Sequence, residues 1–122
     1  MLPYTSLAQT QVNLTNTTTA TKQTYYCAGI SSYTHWQLYS TNGITMNIDT
    51  TNCSFPSTPY YFTSMAGSSG HWSLDSYTAI YFSTNISFTI YAYPSVAWSN
   101  TAMHNYSQTY KWNVNWFGIS SY

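Results

Sequence analysis

From Tyr25 onward the chain alternates apolar and polar positions with a period of two. No window holds apolar residues at helical spacing for three turns, and β-branched and aromatic residues dominate. The pattern predicts strands and turns. One hairpin is expected from His35 to Asp49 around Thr41-Asn42-Gly43. A two-residue Asn42-Gly43 turn would set Tyr39 against Met46. A three-residue loop with Gly43 in the left-handed conformation sets Leu38 against Met46 and Trp36 against Ile48. The second register gathers the apolar residues on one face and is the one expected. A second hairpin is expected from Tyr77 to Tyr93, turning near Ser83-Thr84-Asn85, with Ile80 and Phe82 facing Ile86, Phe88 and Ile90. Tyr110, Trp112, Val114 and Trp116 alternate strictly with Lys111, Asn113 and Asn115, the clearest strand in the chain. Shorter strands are expected at Tyr60–Thr63 and His71–Asp75, separated by the loop Gly67–Gly70. The sum is an all-β sandwich of about seven to eight strands, with an immunoglobulin-like layout.

Residues 1–24 differ in composition, being rich in Thr, Gln and Asn and poor in aromatics. Within them Ala8, Thr10, Val12 and Leu14 alternate with polar residues, as in a strand. The chain therefore divides into an extended N-terminal arm, residues 1–24, and a head domain, residues 25–122. One internal echo, His35-Trp-Gln-Leu-Tyr-Ser40 and His71-Trp-Ser-Leu-Asp-Ser76, places two similar strand segments 36 positions apart. Period two would bury Trp and Leu in both; two units are too few for a solenoid.

Charge changes the picture more than hydrophobicity does. Lys22, Lys111, Asp49 and Asp75 carry all the formal charge, where an ordinary domain is about a quarter charged. Ser and Thr, close to a third of the chain, replace the missing charges, together with Asn and 14 Tyr. A fold with two carboxylates has little to lose when carboxylates protonate, so stability in acid is expected. There is no basic patch for nucleic acid or for an anionic membrane surface. No run approaches the apolar length of a membrane-spanning helix, so no membrane insertion is expected. No signal peptide is visible at Met1-Leu2-Pro3-Tyr4, so an exported chain would be read here in its mature form.

Two cysteines at wide spacing, Cys27 and Cys53, predict one disulfide that staples the base of the first hairpin, in an oxidising, external compartment. Five Asn-x-Ser/Thr sequons occur, at Asn13, Asn16, Asn52, Asn85 and Asn105. With so much Ser and Thr, about three would match by chance. Covalent N-glycans are expected on some of them, above all Asn16 in a Thr-rich stretch and Asn85 at a turn. Catalysis has little to build with: two Asp, three His, no nucleophile elbow and no phosphate loop. No enzyme, no cofactor and no metal is expected, and nothing in the spacing of His35, His71 and His104 requires an ion. The aromatic fraction could serve a sugar-binding surface, core packing or subunit contacts.

The Ser/Thr/Asn/Tyr-rich, charge-poor, sequon-bearing composition resembles that of surface-filament subunits of thermoacidophilic archaea, especially the thin thread-type filaments. That resemblance implies a β-sandwich head joined to the next copy by a donated N-terminal strand. Tyr4–Leu14 would be the donor, with Ala8, Thr10, Val12 and Leu14 facing the acceptor's core, and Asn16–Thr24 the linker. It implies a homopolymer of identical subunits on the cell surface. A secreted carbohydrate-binding or adhesive module, and a viral coat protein, are the alternatives.

Overall fold

The structure, a computed structural model, describes residues 4–15 and 21–121, with side chains from Gln23 onward. Among these residues eight strands form two antiparallel sheets. The strands are β1 (Tyr4–Thr15), β2 (Thr21–Ser31), β3 (Gln37–Tyr39), β4 (Gly43–Asp49), β5 (Tyr60–Ala66), β6 (Leu74–Asp75), β7 (Ser87–Pro94) and β8 (Asn113–Ser121). The first sheet runs β1-β2-β8-β5 and the second β3-β4-β7-β6. One helix, α1 (Asn100–Thr109), carries the chain from β7 in the second sheet to β8 in the first. The expected all-β sandwich is the fold observed.

Alternation explains why these strands layer. Trp112, just before β8, and Val114 and Trp116 within it turn inward with Cys27 of β2 and Tyr61 of β5; all five are buried. They meet Ile44, Met46, Ile48, Phe88 and Ile90 from the second sheet, where β4 and β7 pair Met46 with Ile90 and Ile48 with Phe88. The large rings need room between the layers. A Cβ on Gly29 would lie 2.5 Å from the Trp116 ring, and one on Gly118 would lie 2.6 Å from Phe55. Glycine at these two positions lets the rings lie against strand backbone.

The first hairpin forms with a different register. Leu38 pairs with Ile44 and Tyr39 with Gly43, so the loop is Ser40-Thr41-Asn42, and Ser40, not Gly43, is left-handed (φ 55°). Trp36 is not a strand residue opposite Ile48. It follows a 3-10 turn (Tyr33–His35) and is buried, its Nε1 donating to Trp112 O at 2.8 Å. The expected second hairpin is replaced by an irregular segment. Between Ile80 and β7 there is a single bridge, Tyr81 with Thr89, while Phe82 (φ 53°) and Ile86 are exposed. Residues His71–Ser73 form a 3-10 turn, and only Leu74–Asp75 is strand, pairing with Pro94 and Tyr93 of β7.

Helix α1 was not visible in the pattern. Ser99 caps it, its Oγ accepting from Ala102 N at 3.1 Å. Met103 and Ser107 are its buried residues, one turn apart, and Tyr106 and Tyr110 pack against the core. His104 Nε2 lies 3.1 Å from Trp36 O, and Gln108 Nε2 donates to Tyr33 O at 2.9 Å. The helix thus closes one end of the sandwich over the 3-10 turn before β3.

Candidate assembly interface

A sheet edge presents unpaired N–H and C=O groups, so long edges are where one chain can pair with another. The second sheet has short edges, three residues in β3 and two in β6. The first sheet has long ones: β1 at one side with 12 residues and β5 at the other with 7.

The arm lies at this long edge. β1 pairs antiparallel with β2 from Tyr4 opposite Ser31 to Thr15 opposite Thr21, with an irregularity between Ser6 and Ala8. Among the described residues its only neighbour in the sheet is β2. The register sets Ala8, Thr10, Val12 and Leu14 opposite Ala28, Tyr26, Thr24 and Lys22. Gln9 and Gln11 stand opposite Cys27, which is buried, and Tyr25, which packs on the core. Tyr26 belongs to the other face of the sheet, where it stacks on Phe117 with ring centroids 5.8 Å apart. Beyond the irregularity at Ser6/Ala8 it is Gln9 and Gln11 that stand opposite core residues of β2 within the chain, whereas the expectation for Ala8, Thr10, Val12 and Leu14 concerns the core of a neighbouring copy. Thr21–Thr24, expected in a linker, belong to β2.

The opposite edge is aromatic. On β5 Tyr60 (78% exposed) and Phe62 (58%) point away from the core, flanking the buried Tyr61. Phe62 stands opposite Phe117 with ring centroids 6.3 Å apart, continuing the row from Tyr26. Sequence reasoning did not single out this surface, though a signal existed. Three consecutive aromatics, Tyr60-Tyr61-Phe62, cannot all face one core at a period of two.

Cys27 and Cys53 are joined, with Cα atoms 5.8 Å apart. The bond does more than close a hairpin base. Cys27 lies in the first sheet, and Cys53 ends a 3-10 turn (Thr51–Cys53) on the crossover from β4 in the second sheet to β5 in the first. Of the sequons, Asn52, Asn85 and Asn105 are exposed, on that 3-10 turn, on the segment before β7 and on α1. Asn85 Nδ2 donates to Phe55 O at 3.4 Å. Asn13 lies in β1 opposite Gln23, and Asn16 lies outside the described residues.

The repeated His-Trp segments diverge. Trp36 is 2% exposed and Trp72 90%, while Leu38 is half exposed and Leu74 buried. The echo marks no pair of equivalent sites. Among the described residues no three His, Cys, Asp or Glu side chains come together as a metal site, and no helix is long and apolar enough to cross a membrane. No family model, no curated protein and no solved structure matches this chain.

Proposed function

We propose that the chain is a structural subunit of an extracellular filament, in which Tyr4–Thr15 of each copy occupies the β2 edge of the next. The observation that carries this reading is the position of β1. It is a long edge strand that, among the described residues, pairs with β2 alone, so each ladder bond it makes to β2 of its own chain can be made to β2 of a neighbour. The exchange replaces bonds with identical bonds and leaves the two sheets' shared core untouched. Supporting it are the disulfide between β2 and the β4–β5 crossover, the near absence of charge, and exposed sequons that glycans can occupy. Low net charge gives little repulsion between copies, which suits a homopolymer.

The test is a cysteine pair at Val12 and Thr24, which are register partners across β1 and β2, three positions along each strand from the Gln9–Cys27 pair. In assembled Val12→Cys/Thr24→Cys protein, oxidation is expected to give a covalent ladder of multimers in non-reducing electrophoresis. A product that runs only as monomer, from material that forms filaments, would show the strand closing on its own chain and overturn the reading.

A further inference from the structure

A cleft of about 460 Å³ opens on the outer face of the second sheet, between β3, β7 and the segment that carries Tyr81 and Phe82. Its size lies within the range of small-molecule sites, about 300–1,000 Å³. Its floor is a continuous run of rings. Tyr39 on β3 leans on Tyr91 of β7 (centroids 4.7 Å apart), Tyr91 meets Tyr81 edge-on (5.0 Å), and Tyr81 adjoins Phe82 (6.3 Å). Tyr39, Tyr81, Phe82 and Tyr93 are all exposed. The rest of the lining is hydroxyl, amide or backbone: Ser40, Asn42, Gly43, Ser76 and Ala92. It contains no Asp, Glu, Lys, Arg or His.

Three of the five non-glycine residues with left-handed φ among the described residues line this cleft: Ser40 (55°), Ser76 (73°) and Phe82 (53°). A bulky residue such as phenylalanine is a genuine outlier there, and such strain collects at sites that use it. At Phe82 it coincides with a ring 74% exposed at the cleft wall, not one packed in the core. The walls are held from behind. Tyr81 and Thr89 exchange two backbone hydrogen bonds of 2.8 Å, and Asn100 Nδ2 donates to Ser40 O at 2.8 Å. A cleft fixed in this way loses little freedom when it is filled.

We infer that this cleft binds a neutral sugar, with a pyranose ring lying on the Tyr39–Tyr91–Tyr81–Phe82 run. A sugar ring offers one face of C–H bonds, which suits aromatic faces, and a rim of hydroxyls, which suits tyrosine hydroxyls, Ser40, Asn42 and Ser76. A phosphate, carboxylate or cation would find no counter-charge in this lining. A purely aliphatic ligand would leave the hydroxyl rim without partners.

The test uses the full chain and saturation-transfer NMR with maltohexaose, cellohexaose and mannotriose as neutral probes and polygalacturonate as a charged one. Saturation is expected to reach the ring C–H protons of at least one neutral probe. Phe82→Gly removes a ring and also suits the left-handed backbone, so it is expected to fold as well as the parent. It should weaken that probe's binding about tenfold, as should Tyr39→Ala. No transfer to any neutral probe at about 10 mM sugar, a Kd weaker than millimolar, would overturn the inference. So would transfer only to polygalacturonate, or neutral-probe binding unchanged in both variants. The cysteine-ladder result is independent of the cleft, so failure of one reading leaves the other standing.

Discussion

Tyr61 shows how a single residue couples the layers. Its ring lies in the first sheet at 4.2 Å from that of Phe88 in the second, centroid to centroid. Its hydroxyl, 2.7 Å from Thr50 Oγ1, donates to Thr84 O at 2.8 Å. Thr50 is fully buried, so this hydroxyl is its route to satisfaction. Burial raises the Tyr61 phenol above its ordinary value of 10.0, against a smaller lowering by the hydrogen bond from Thr50. A folded-state value above the unfolded one means the folded protein holds this proton more tightly. The stability it contributes is complete below about pH 10 and is lost as pH rises through the folded value. Melting temperature is therefore expected to fall on the alkaline side. Tyr61→Phe is expected to flatten that alkaline limb while lowering stability near neutral pH by about 1–3 kcal/mol, since Thr50 loses a partner. Thermal melts of both proteins from pH 7 to 11 check this; an alkaline limb unchanged in Tyr61→Phe contradicts it.

At the scale of elements, what the sequence made legible follows from how strongly period two binds a segment. The segment from Trp112 into β8 was legible because each inward position is a large residue and each outward one polar, up to Asn115. The first hairpin was legible as a hairpin but not in register. Sliding Leu38 from Met46 to Ile44 keeps every residue on the same face, so alternation cannot choose. Three-dimensional contacts do: Gly43 lies against the backbone of Tyr39, and Tyr39 against the ring of Tyr91. Phe82 and Ile86 misled because they are apolar yet exposed, in a segment bent by a left-handed residue. Helix α1 escaped because it is short and one of its two buried positions is a serine, Ser107. The candidate interface was half legible: the arm announced itself by composition, while the aromatic outer face of β5 and β8 required knowing which strands neighbour each other. The disulfide spans these elements. With its cysteines 26 positions apart, it is expected to stabilise by about 3.5 kcal/mol through loop closure in the unfolded chain. The unreduced protein should show no free thiol by mass spectrometry. Reduction should lower its melting temperature by about 10–20 °C; a loss of only a few degrees would mean that packing alone holds β2 to the crossover.

For the whole molecule, the two sheets divide the work. The second sheet ends in strands of three and two residues, so its edges offer neighbours little ladder to pair with, and its outer face carries the tyrosine-lined cleft. The first sheet keeps long strands at both sides, and the outermost one on the β2 side is the chain's own N-terminal segment. If that strand passes between copies, each subunit has one segment to give and one β2 edge to receive, a head-to-tail contact that need not close on itself and so propagates. A synthetic peptide of residues 1–16 would then compete for the same edge. Once seated, it fills the β2 edge without supplying a head to extend the chain, so it acts as a stopper. Filaments assembled from full-length protein with increasing peptide are expected to shorten in inverse proportion to the peptide ratio. A scrambled peptide of the same composition, which loses the period of two, should leave their length unchanged. The deletion variant 17–122 should be destabilised and self-associating, because its β2 edge is open, and should regain a higher melting temperature when the peptide is added. Length distributions from negative-stain micrographs and melts of the deletion variant read these outcomes. Filaments whose length ignores the peptide, together with a stable 17–122 monomer indifferent to it, would show that β1 is a dispensable edge and that the copies join elsewhere, with the aromatic β5 edge the next surface to disrupt.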